Sequence, residues 1–286
     1  MKSKLKEAIK VKFPRIYEAN HYIFRKLSEK INVAMSFVNY ANCLYAHKPY
    51  LGSYLEADQS GKKRKPYMVK SVELGIKGLK DNRFRILEIG SWAGASAILW
   101  AESIKRLNAK GLVTCVDPWS PFIDLDVNVG VSKRLHKIEQ ASKGNKIYNL
   151  FLHNIKATGH NDIIKPYRGN SDELLPTLRN IFNLVYIDGS HFYSQVIKDL
   201  QNCGRLVVEG GFLCGDDLEM QKHEVDVENA EERKEQDCIL DLKTKQVFHP
   251  GVSLAIAEFF KGEVSCFEGF WIMKKKGAGW EKVELS

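Results

Sequence analysis

The sequence predicts an α/β fold, in which helices cover a mostly parallel β-sheet that ends in an antiparallel hairpin. Short apolar segments recur along the chain, each followed by a polar turn and a helical pattern, as in repeated strand–helix units. Near the C-terminus, Val264 to Phe267 and Phe270 to Met273 flank Glu268-Gly269, a pattern typical of a closing hairpin. At 286 residues, with 44% hydrophobic and 27% charged residues, the chain is long enough for a large buried core.

Residues 1 to 60 have a helical pattern and no motif that indicates a reaction. Their apolar residues recur at helical spacing, as in Leu5, Ile9, Phe13 and Ile16. We therefore expect a helical cap, a lid or an oligomerisation segment. The polar, basic stretch Gly61–Lys65 then predicts a linker, so that 61–286 forms the main domain. An amphipathic helix should follow, on the apolar positions Met68, Val69, Val72, Ile76 and Leu79.

The first strand of the main domain leads into a glycine turn. Ile86, Leu87 and Ile89 predict a buried strand, and the apolar pattern from Ala95 to Leu107 predicts a helix after it. Between them lie Gly90 and Gly94, and glycine lets a backbone approach a ligand closely. A strand, a glycine turn and a helix form the unit that binds nucleotide-like cofactors. Two glycines rather than three exclude the dinucleotide fingerprint.

The next two predicted strands also end in polar residues. Leu112–Asp117 ends in an acid that can accept both hydroxyls of a ribose, although an Asp before Pro118 is also typical of a plain turn. After a strand over Asp162–Arg168 comes the turn Gly169–Asp172, in which Ser171 either contacts a ligand or caps the next helix. The long stretch between these strands, residues 118 to 165, is expected to carry substrate recognition.

Three more acids are predicted at the same edge of the sheet. Asp188 ends the strand that starts at Phe182, and Asp216 and Asp217 follow the strand Phe212–Gly215. Each acid alone is compatible with an ordinary loop. Together they would repel one another, and a divalent cation such as Mg²⁺, Mn²⁺ or Ca²⁺ would remove that repulsion. The pattern therefore favours a metal site at this edge.

Two later segments complete the pattern. Residues Glu219 to Phe248 are charged and contain few large apolar side chains, which predicts a mobile loop or lid. The stretch Phe248–Val252, Phe-His-Pro-Gly-Val, then predicts the start of a helix.

Composition and charge narrow the class of protein. A net charge of +8 raises the possibility of nucleic-acid binding or of an anionic substrate or surface, although basic runs usually form solvated faces. No apolar stretch is long enough to span a membrane, and no secretory signal is visible. The six cysteines form no C-x-x-C pair, which indicates reduced residues of a cytoplasmic protein.

The spacing Glu88-x-Gly90-x-x-x-Gly94 resembles motif I of the class I S-adenosylmethionine-dependent methyltransferases. With Ser96 two residues later, it looks especially like the metal-dependent O-methyltransferases of catechol and of macrolide or aminocoumarin sugars. This resemblance implies a Rossmann-like, seven-stranded methyltransferase sheet over 61–286. It also implies S-adenosyl-L-methionine and Mg²⁺, or another divalent cation, as cofactors, and a small-molecule or sugar hydroxyl as the acceptor.

The resemblance also assigns roles to residues. Asp188, Asp216 and Asp217 would bind the metal, and Asp188 would act in catalysis together with His191, a general base in the place where catechol enzymes have lysine. That histidine favours the sugar branch. The cofactor would contact Glu88, Gly90, Ser91, Trp92, Gly94, Ser96, Asp117, Ser171, Asp172 and Asp188.

Two alternatives remain open at this point. One is a non-catalytic, methyltransferase-like binding module, which would have no need of the acids and His191. The other is an RNA ribose methyltransferase, which the positive charge would suit. The sequence after the fourth strand is Asp-Gly-Ser-His and not an Asn-Pro-Pro-Tyr motif, so methylation of a base amine is not indicated. The appended helices also suggest a homo-oligomer.

Overall fold

The central sheet confirms the predicted fold class. The computed structural model describes residues 14–57, 61, 63–79, 83–122, 132–178 and 182–285. Within them, five parallel strands lie in the order β5-β4-β1-β2-β3, and β9 pairs antiparallel with β5. The strands are β1 Arg83–Ile89, β2 Lys110–Asp117, β3 Ile164–Arg168, β4 Phe182–Ile187, β5 Val207–Leu218, β6 Ile239–Leu240, β7 Val247–Phe248, β8 Ser265–Phe267, β9 Gly269–Lys276 and β10 Gly279–Lys282.

The described part of the main sheet has eight strands rather than the seven expected. Both β8 and β10 pair with the outer edge of β9, β8 along its first half and β10 along its second. The β8–β9 pair is the predicted hairpin. The strand Gly279–Lys282 escaped prediction because it is short and contains one large apolar residue, Trp280, too few for a recognisable alternation.

Helices cover both faces of the sheet, and one long helix precedes the sheet in the chain. They are α1 Pro14–Tyr45, α2 Lys65–Lys77, α3 Ala95–Arg106, α4 Ser132–Ser142, α5 Lys146–Ala157, α6 Ser171–Leu174, α7 Tyr193–Gly204, α8 Val227–Glu232 and α9 Pro250–Phe260. The helices predicted after the linker, after the glycine turn and after His249 are thereby confirmed as α2, α3 and α9. The N-terminal apolar residues Leu5, Ile9 and Phe13 lie outside the described residues. None of the described helices is both long and apolar enough to cross a membrane.

The segment between α1 and the predicted linker packs into the main core. Tyr50 and Ala57 are buried, and the backbone of Tyr50 exchanges two hydrogen bonds with the Asn154 side chain on α5. The indole N–H of Trp92 also donates to the carbonyl oxygen of Glu56. This segment therefore helps to hold the glycine turn, and the expected boundary near residue 60 stays a prediction.

The segment Glu219 to Phe248 is folded and is not the loop that was expected, while a role as a lid stays a prediction. This segment contains α8 and the two-stranded β6–β7 sheet, and it has a small core of its own. The buried members of that core are Met220, Val225, Ala230, Ile239, Phe248 and Leu254. Asp241, which is buried, organises the segment by accepting hydrogen bonds from the backbone N–H groups of Asp226, Lys243 and Thr244. A few apolar residues are thus enough to form a core in a segment whose average composition is polar.

All six cysteines are free thiols, as the sequence indicated, and Cys115 and Cys214 are buried in β2 and β5.

Candidate active site

The loops after β1 and β4 touch at the C-terminal edge of the sheet. Gly90 has a φ of +82°, and its N–H donates to the carbonyl oxygen of Val116 in β2. A Cβ at Gly90 would lie 2.0 Å from the carbonyl oxygen of Asp188. Only glycine permits this approach, so the cofactor-type turn and the first predicted metal ligand are held against each other.

Asp117 fixes the shape of the glycine turn. Its Oδ2 accepts hydrogen bonds of 2.9 Å from the backbone N–H groups of both Ser91 and Trp92, and its Oδ1 accepts one of 2.6 Å from Trp119. The indole N–H of Trp119 in turn donates to the carbonyl oxygen of Trp92. Burial raises the pKa of Asp117, and these three backbone donors oppose that shift. The carboxylate of Asp117, at the end of β2, is therefore bound mainly by backbone N–H groups of the protein itself.

Glu88 lies beneath the turn with no exposed surface. Its carboxylate accepts hydrogen bonds from Ser91 (2.6 Å), Trp100 (3.2 Å) and the thiol of Cys115 (3.5 Å). Burial raises the pKa of Glu88 to about 7, although hydrogen bonds from Ser91, Ser96 and Cys115 lower it. Glu88 and the neighbouring Ser96 therefore support the turn from inside. Gly94, with a φ of +87°, is the N-cap residue of α3 above them.

The turn after β3 has a different cap from the one considered. Asn170, not Ser171, is the N-cap residue of α6, and its side chain accepts from the N–H of Asp172. Ser171 is the first residue of the helix, and its hydroxyl accepts a hydrogen bond from Gln195 on α7. Asp172 contacts Gln195 and pairs with Lys198. The structure thus places Ser171 and Asp172 at the same edge of the sheet, beyond β3.

A β-bulge brings Asp216 and Asp217 to one side of β5. The acids lie inside the strand rather than after it, since β5 continues to Leu218. Between Gly215 and Leu218 the pairing with β9 shifts by one residue, and Asp217 has a φ of +62°. Consecutive side chains of a regular strand point to opposite faces, and a bulge removes this alternation locally. The bulge therefore allows two adjacent acids to serve one site.

Carboxylate oxygens of Asp188, Asp216 and Asp217 lie within 4.8 Å of one another. Three such oxygens from three positions are a donor set that fits Mg²⁺ or Mn²⁺. A side chain that the sequence reading assigned to the linker also reaches this trio. The guanidinium of Arg64 pairs with Asp216 and lies 3.3 Å from Asp188.

Arg64 supplies a positive charge beside the three acids, a role that the sequence analysis assigned to a metal ion. Burial raises the pKa of Asp188, and Asp217 raises it further. Arg64 and the hydroxyl of Tyr186, 3.0 Å away, oppose that rise. Burial would lower the pKa of Arg64, but the surrounding acids raise it well above its ordinary value, so the guanidinium stays charged. A cation at the centre of the trio has to compete with this ion pair.

His191 lies between two carboxylates. Its Nε2 is 3.0 Å from Oδ2 of Asp217, and its Nδ1 is 2.7 Å from Oδ1 of Asp237. Burial would lower the pKa of His191, but these two acids outweigh it and raise that pKa well above its ordinary value. The same contact keeps the pKa of Asp217 well below its usual range, against the effect of burial. The imidazole is therefore held as a cation here.

Four residues of this site were missed by sequence reasoning. Arg64 was hidden in a basic run, although three predicted acids without a counter-ion could have prompted a search for one. Asp237 and Glu219 lie in a segment that was expected to be a mobile loop. His249, whose Nδ1 lies 3.0 Å from Glu219, was noted only as part of a helix start.

The comparisons with known proteins agree with this architecture. Residues 87–218 match the model of a family described as a methyltransferase domain. No curated protein sequence matches the chain. Among solved structures, the O-methyltransferase NovP resembles the chain with a TM-score of 0.55 at 16% identity, over 76% of this chain and 81% of that one. CalS11, a calicheamicin methyltransferase, does so with a TM-score of 0.50 at 13% identity, over 76% and 80%.

At these identities the solved structures show similarity of fold alone. The match to the family model includes the glycine turn, Asp117, Asp188 and both acids of the bulge. Residues 87–218 therefore match a methyltransferase domain, and the chain shares the fold of the methyltransferases NovP and CalS11.

Proposed function

We propose that this protein is an S-adenosylmethionine-dependent O-methyltransferase that uses a divalent cation and methylates a hydroxyl of a small molecule or sugar. One observation carries the proposal. The glycine turn of a class I methyltransferase domain, three clustered carboxylates and a histidine meet at one edge of the sheet. Ligands of open α/β sheets bind at that edge.

The cofactor would lie over the turn from Gly90 to Gly94, between the ends of β1, β2 and β3. Ser91 and Trp92 form its backbone, and Asp117 holds that backbone in shape through the hydrogen bonds described above. Asp117 is 7% exposed, and both of its carboxylate oxygens already accept backbone hydrogen bonds. A ribose would therefore contact only the small part of this carboxylate that is still exposed. Ser171 and Asp172 would border the cofactor from the β3 side.

Bound S-adenosylmethionine would supply a methyl group on a sulfonium, and a divalent cation on Asp188, Asp216 and Asp217 would lower the pKa of the acceptor hydroxyl. In the transfer, the acceptor oxygen would form the new bond to carbon as the carbon–sulfur bond of the cofactor breaks, with the thioether as the leaving group. The hydroxyl proton goes to Nε2 of His191, whose Nδ1 is held by Asp237. Asp217 and Asp237 raise the pKa of His191, and a cation on Asp217 would oppose that shift and favour the neutral imidazole that accepts this proton.

The choice of oxygen as the acceptor atom rests on two supports. NovP, whose fold this chain shares, is an O-methyltransferase. The acids and histidine of the site suit a hydroxyl, which must lose a proton during transfer. A sugar hydroxyl is favoured because a histidine occupies the position where the catechol enzymes have lysine.

Transfer of a labelled methyl group tests this function. Purified protein is incubated with methyl-labelled S-adenosylmethionine, Mg²⁺ or Mn²⁺ and a panel of sugars, nucleotide sugars and phenols. We expect label in at least one hydroxyl compound, loss of transfer on chelation, and a loss of about 10²-fold or more in His191→Ala. Asp162→Asn, in an exposed turn, is the control. Wild-type turnover in His191→Ala would remove histidine from the mechanism.

The ion pairs of Arg64 favour a second candidate, a methyltransferase-like module that binds a nucleoside cofactor without catalysis. In such a protein the guanidinium would stay paired with Asp188 and Asp216 in place of a metal ion. Cofactor binding without methyl transfer to any acceptor, in Arg64→Ala as well as in wild type, would support this candidate over the enzyme.

A further inference from the structure

Two histidines meet beside the carboxylate trio, and each is oriented by an acid of its own. His191 lies in the loop between β4 and α7, and His249 is the N-cap residue of α9. Their rings are 4.2 Å apart between centroids and are inclined by 58°. Nδ1 of His191 is 2.7 Å from Asp237, and Nδ1 of His249 is 3.0 and 3.1 Å from the two carboxylate oxygens of Glu219. In metal centres, a carboxylate on one ring nitrogen typically fixes the other nitrogen for the ion.

Asp217 lies between the two histidines and completes a set of three ligands. Its Oδ2 is 3.0 Å from Nε2 of His191. One ligand atom from each of His191, Asp217 and His249 lies within 4.8 Å of the other two. Two ligands at about 2.1 Å from one ion are roughly 3.0 to 3.4 Å apart at octahedral or tetrahedral angles. The measured separation of 3.0 Å therefore matches two neighbouring ligands of a single ion.

The charge around this set is negative, and Arg64 acts on it only at a distance, through Asp217. Three carboxylates, those of Asp217, Asp237 and Glu219, surround two imidazoles. Arg64 makes its ion pairs with Asp188 and Asp216 and not with these three acids. An ion bound between the histidines would therefore leave these ion pairs in place, whereas an ion at the centre of the trio would have to break them.

We propose that His191, Asp217 and His249 form a binding site for a transition-metal ion such as Zn²⁺, Co²⁺ or Mn²⁺. Two imidazoles and one carboxylate suit such ions better than Mg²⁺, which prefers oxygen ligands. This site shares Asp217 with the proposed magnesium-type site but adds nitrogen ligands and two orienting acids. It does not depend on S-adenosylmethionine binding. A metal-bound His191 cannot accept a proton, so Zn²⁺ here would inhibit the methyl transfer proposed above.

The competing explanation is a purely structural ion pair, in which protonated His191 links Asp217 to Asp237. A metal titration distinguishes the metal site from the ion pair, because an ion pair alone has no visible absorption. Co²⁺ is added to the full-length protein, and binding is followed by the visible d–d absorption of Co²⁺ and by calorimetry. We expect saturable binding with bands typical of nitrogen and oxygen ligation, and displacement by Zn²⁺.

Variants then assign the ligands. His249→Gln should weaken Co²⁺ binding by about 10-fold or more and change the absorption bands, and Glu219→Gln should weaken it about 10- to 100-fold by freeing the ring of His249. His223→Gln, an exposed histidine that pairs with Glu263, should bind as wild type does. Circular dichroism melting checks that each variant is folded, and Glu219→Gln repeats the test on a side chain that does not touch the ion.

Three outcomes would overturn the proposal. The first is no Co²⁺ binding by folded wild-type protein. The second is equal affinity and equal spectra in wild type and His249→Gln. The third is binding that is lost in Asp188→Asn but kept in His249→Gln, which would place the ion on the carboxylate trio alone and leave the proposed methyltransferase function untouched. Failure of that function would instead appear as absent cofactor binding or absent methyl transfer.

Discussion

Gly90 is the residue at which the turn after β1 meets the loop after β4. Alanine there would be strained by a φ of +82° and would also push against the carbonyl oxygen of Asp188. We expect Gly90→Ala to destabilise the fold by about 3 kcal/mol or more. Gly159→Ala is a matched control, since its φ is +68° but nothing lies within 4 Å of the added Cβ. It should cost about 1 kcal/mol.

Urea unfolding of both variants checks the expectation for Gly90. Equal free energies of unfolding would mean that the two loops have room to separate, and that the close approach is not needed for the fold.

Glu88 makes the stability of the protein depend on pH. Its pKa is about 7 in the folded state and near 4.5 unfolded, because burial disfavours the carboxylate. The folded state therefore binds more protons between these values, and this contribution to stability is lost as the pH rises from about 4.5 to 7. It amounts to about 3 kcal/mol at most. Glu88→Gln should lose less stability than wild type between pH 5 and 8.

Thermal melting at several pH values measures this difference. Parallel pH profiles for Glu88→Gln and wild type would show that the hydrogen bonds from Ser91, Trp100 and Cys115 keep Glu88 ionised throughout.

At the level of single residues, the sequence predicted that most of the candidate residues lie at the C-terminal edge of the sheet, where they do lie, but it did not show what they contact. Asp117 was predicted from its position at the end of a strand, and it lies there. Its three bonds to backbone N–H groups depend on the fold of the glycine turn, which no spacing rule describes. Arg64 lies more than 120 residues from the acids that it contacts, and such long-range contacts leave no local pattern.

At the scale of elements, β5 shows how one irregularity creates a site. Sequence predicted a strand that stops before Asp216, because two adjacent acids fit poorly into an alternating pattern. The strand instead continues through a bulge. The segment after it also departs from prediction, since five of its buried side chains form a core with Leu254 of α9 despite its polar composition. Both Asp237 and Glu219 depend on that folded segment.

The stretch before α2 brings Arg64 to the carboxylate trio. Removing the guanidinium leaves three carboxylates without their main counter-charge, and charge-assisted pairs are strong. We expect Arg64→Ala to bind Mn²⁺ at least about tenfold more tightly than wild type, a difference of about 1.4 kcal/mol. Lys63→Ala is the control, because Lys63 pairs with Glu268 instead.

Calorimetric titration with Mn²⁺ compares the two variants. Weaker binding in Arg64→Ala would mean that Arg64 helps to build the cation site rather than competing for it.

At the scale of the whole molecule, the predicted fold class is confirmed, together with β1 to β5 and the β8–β9 hairpin, because buried strands and glycine turns are strong local signals. The net charge of +8 proved less informative. Of the basic cluster near residue 63, Lys63 pairs with Glu268 and Arg64 points into the site, which leaves less of it for a nucleic acid. On α1, an exposed apolar face formed by Leu27, Ile31 and Val38 is consistent with the proposed oligomerisation role.

A calorimetric titration shows whether the glycine turn binds S-adenosylmethionine. Wild-type protein should bind S-adenosylmethionine with micromolar affinity. Asp117→Ala should lose at least about tenfold in affinity, because the turn loses the acceptor of three backbone N–H groups. The control Asp162→Asn should bind normally. Absence of binding by folded wild-type protein, with and without a divalent cation, would mean that the glycine turn is not a site for S-adenosylmethionine.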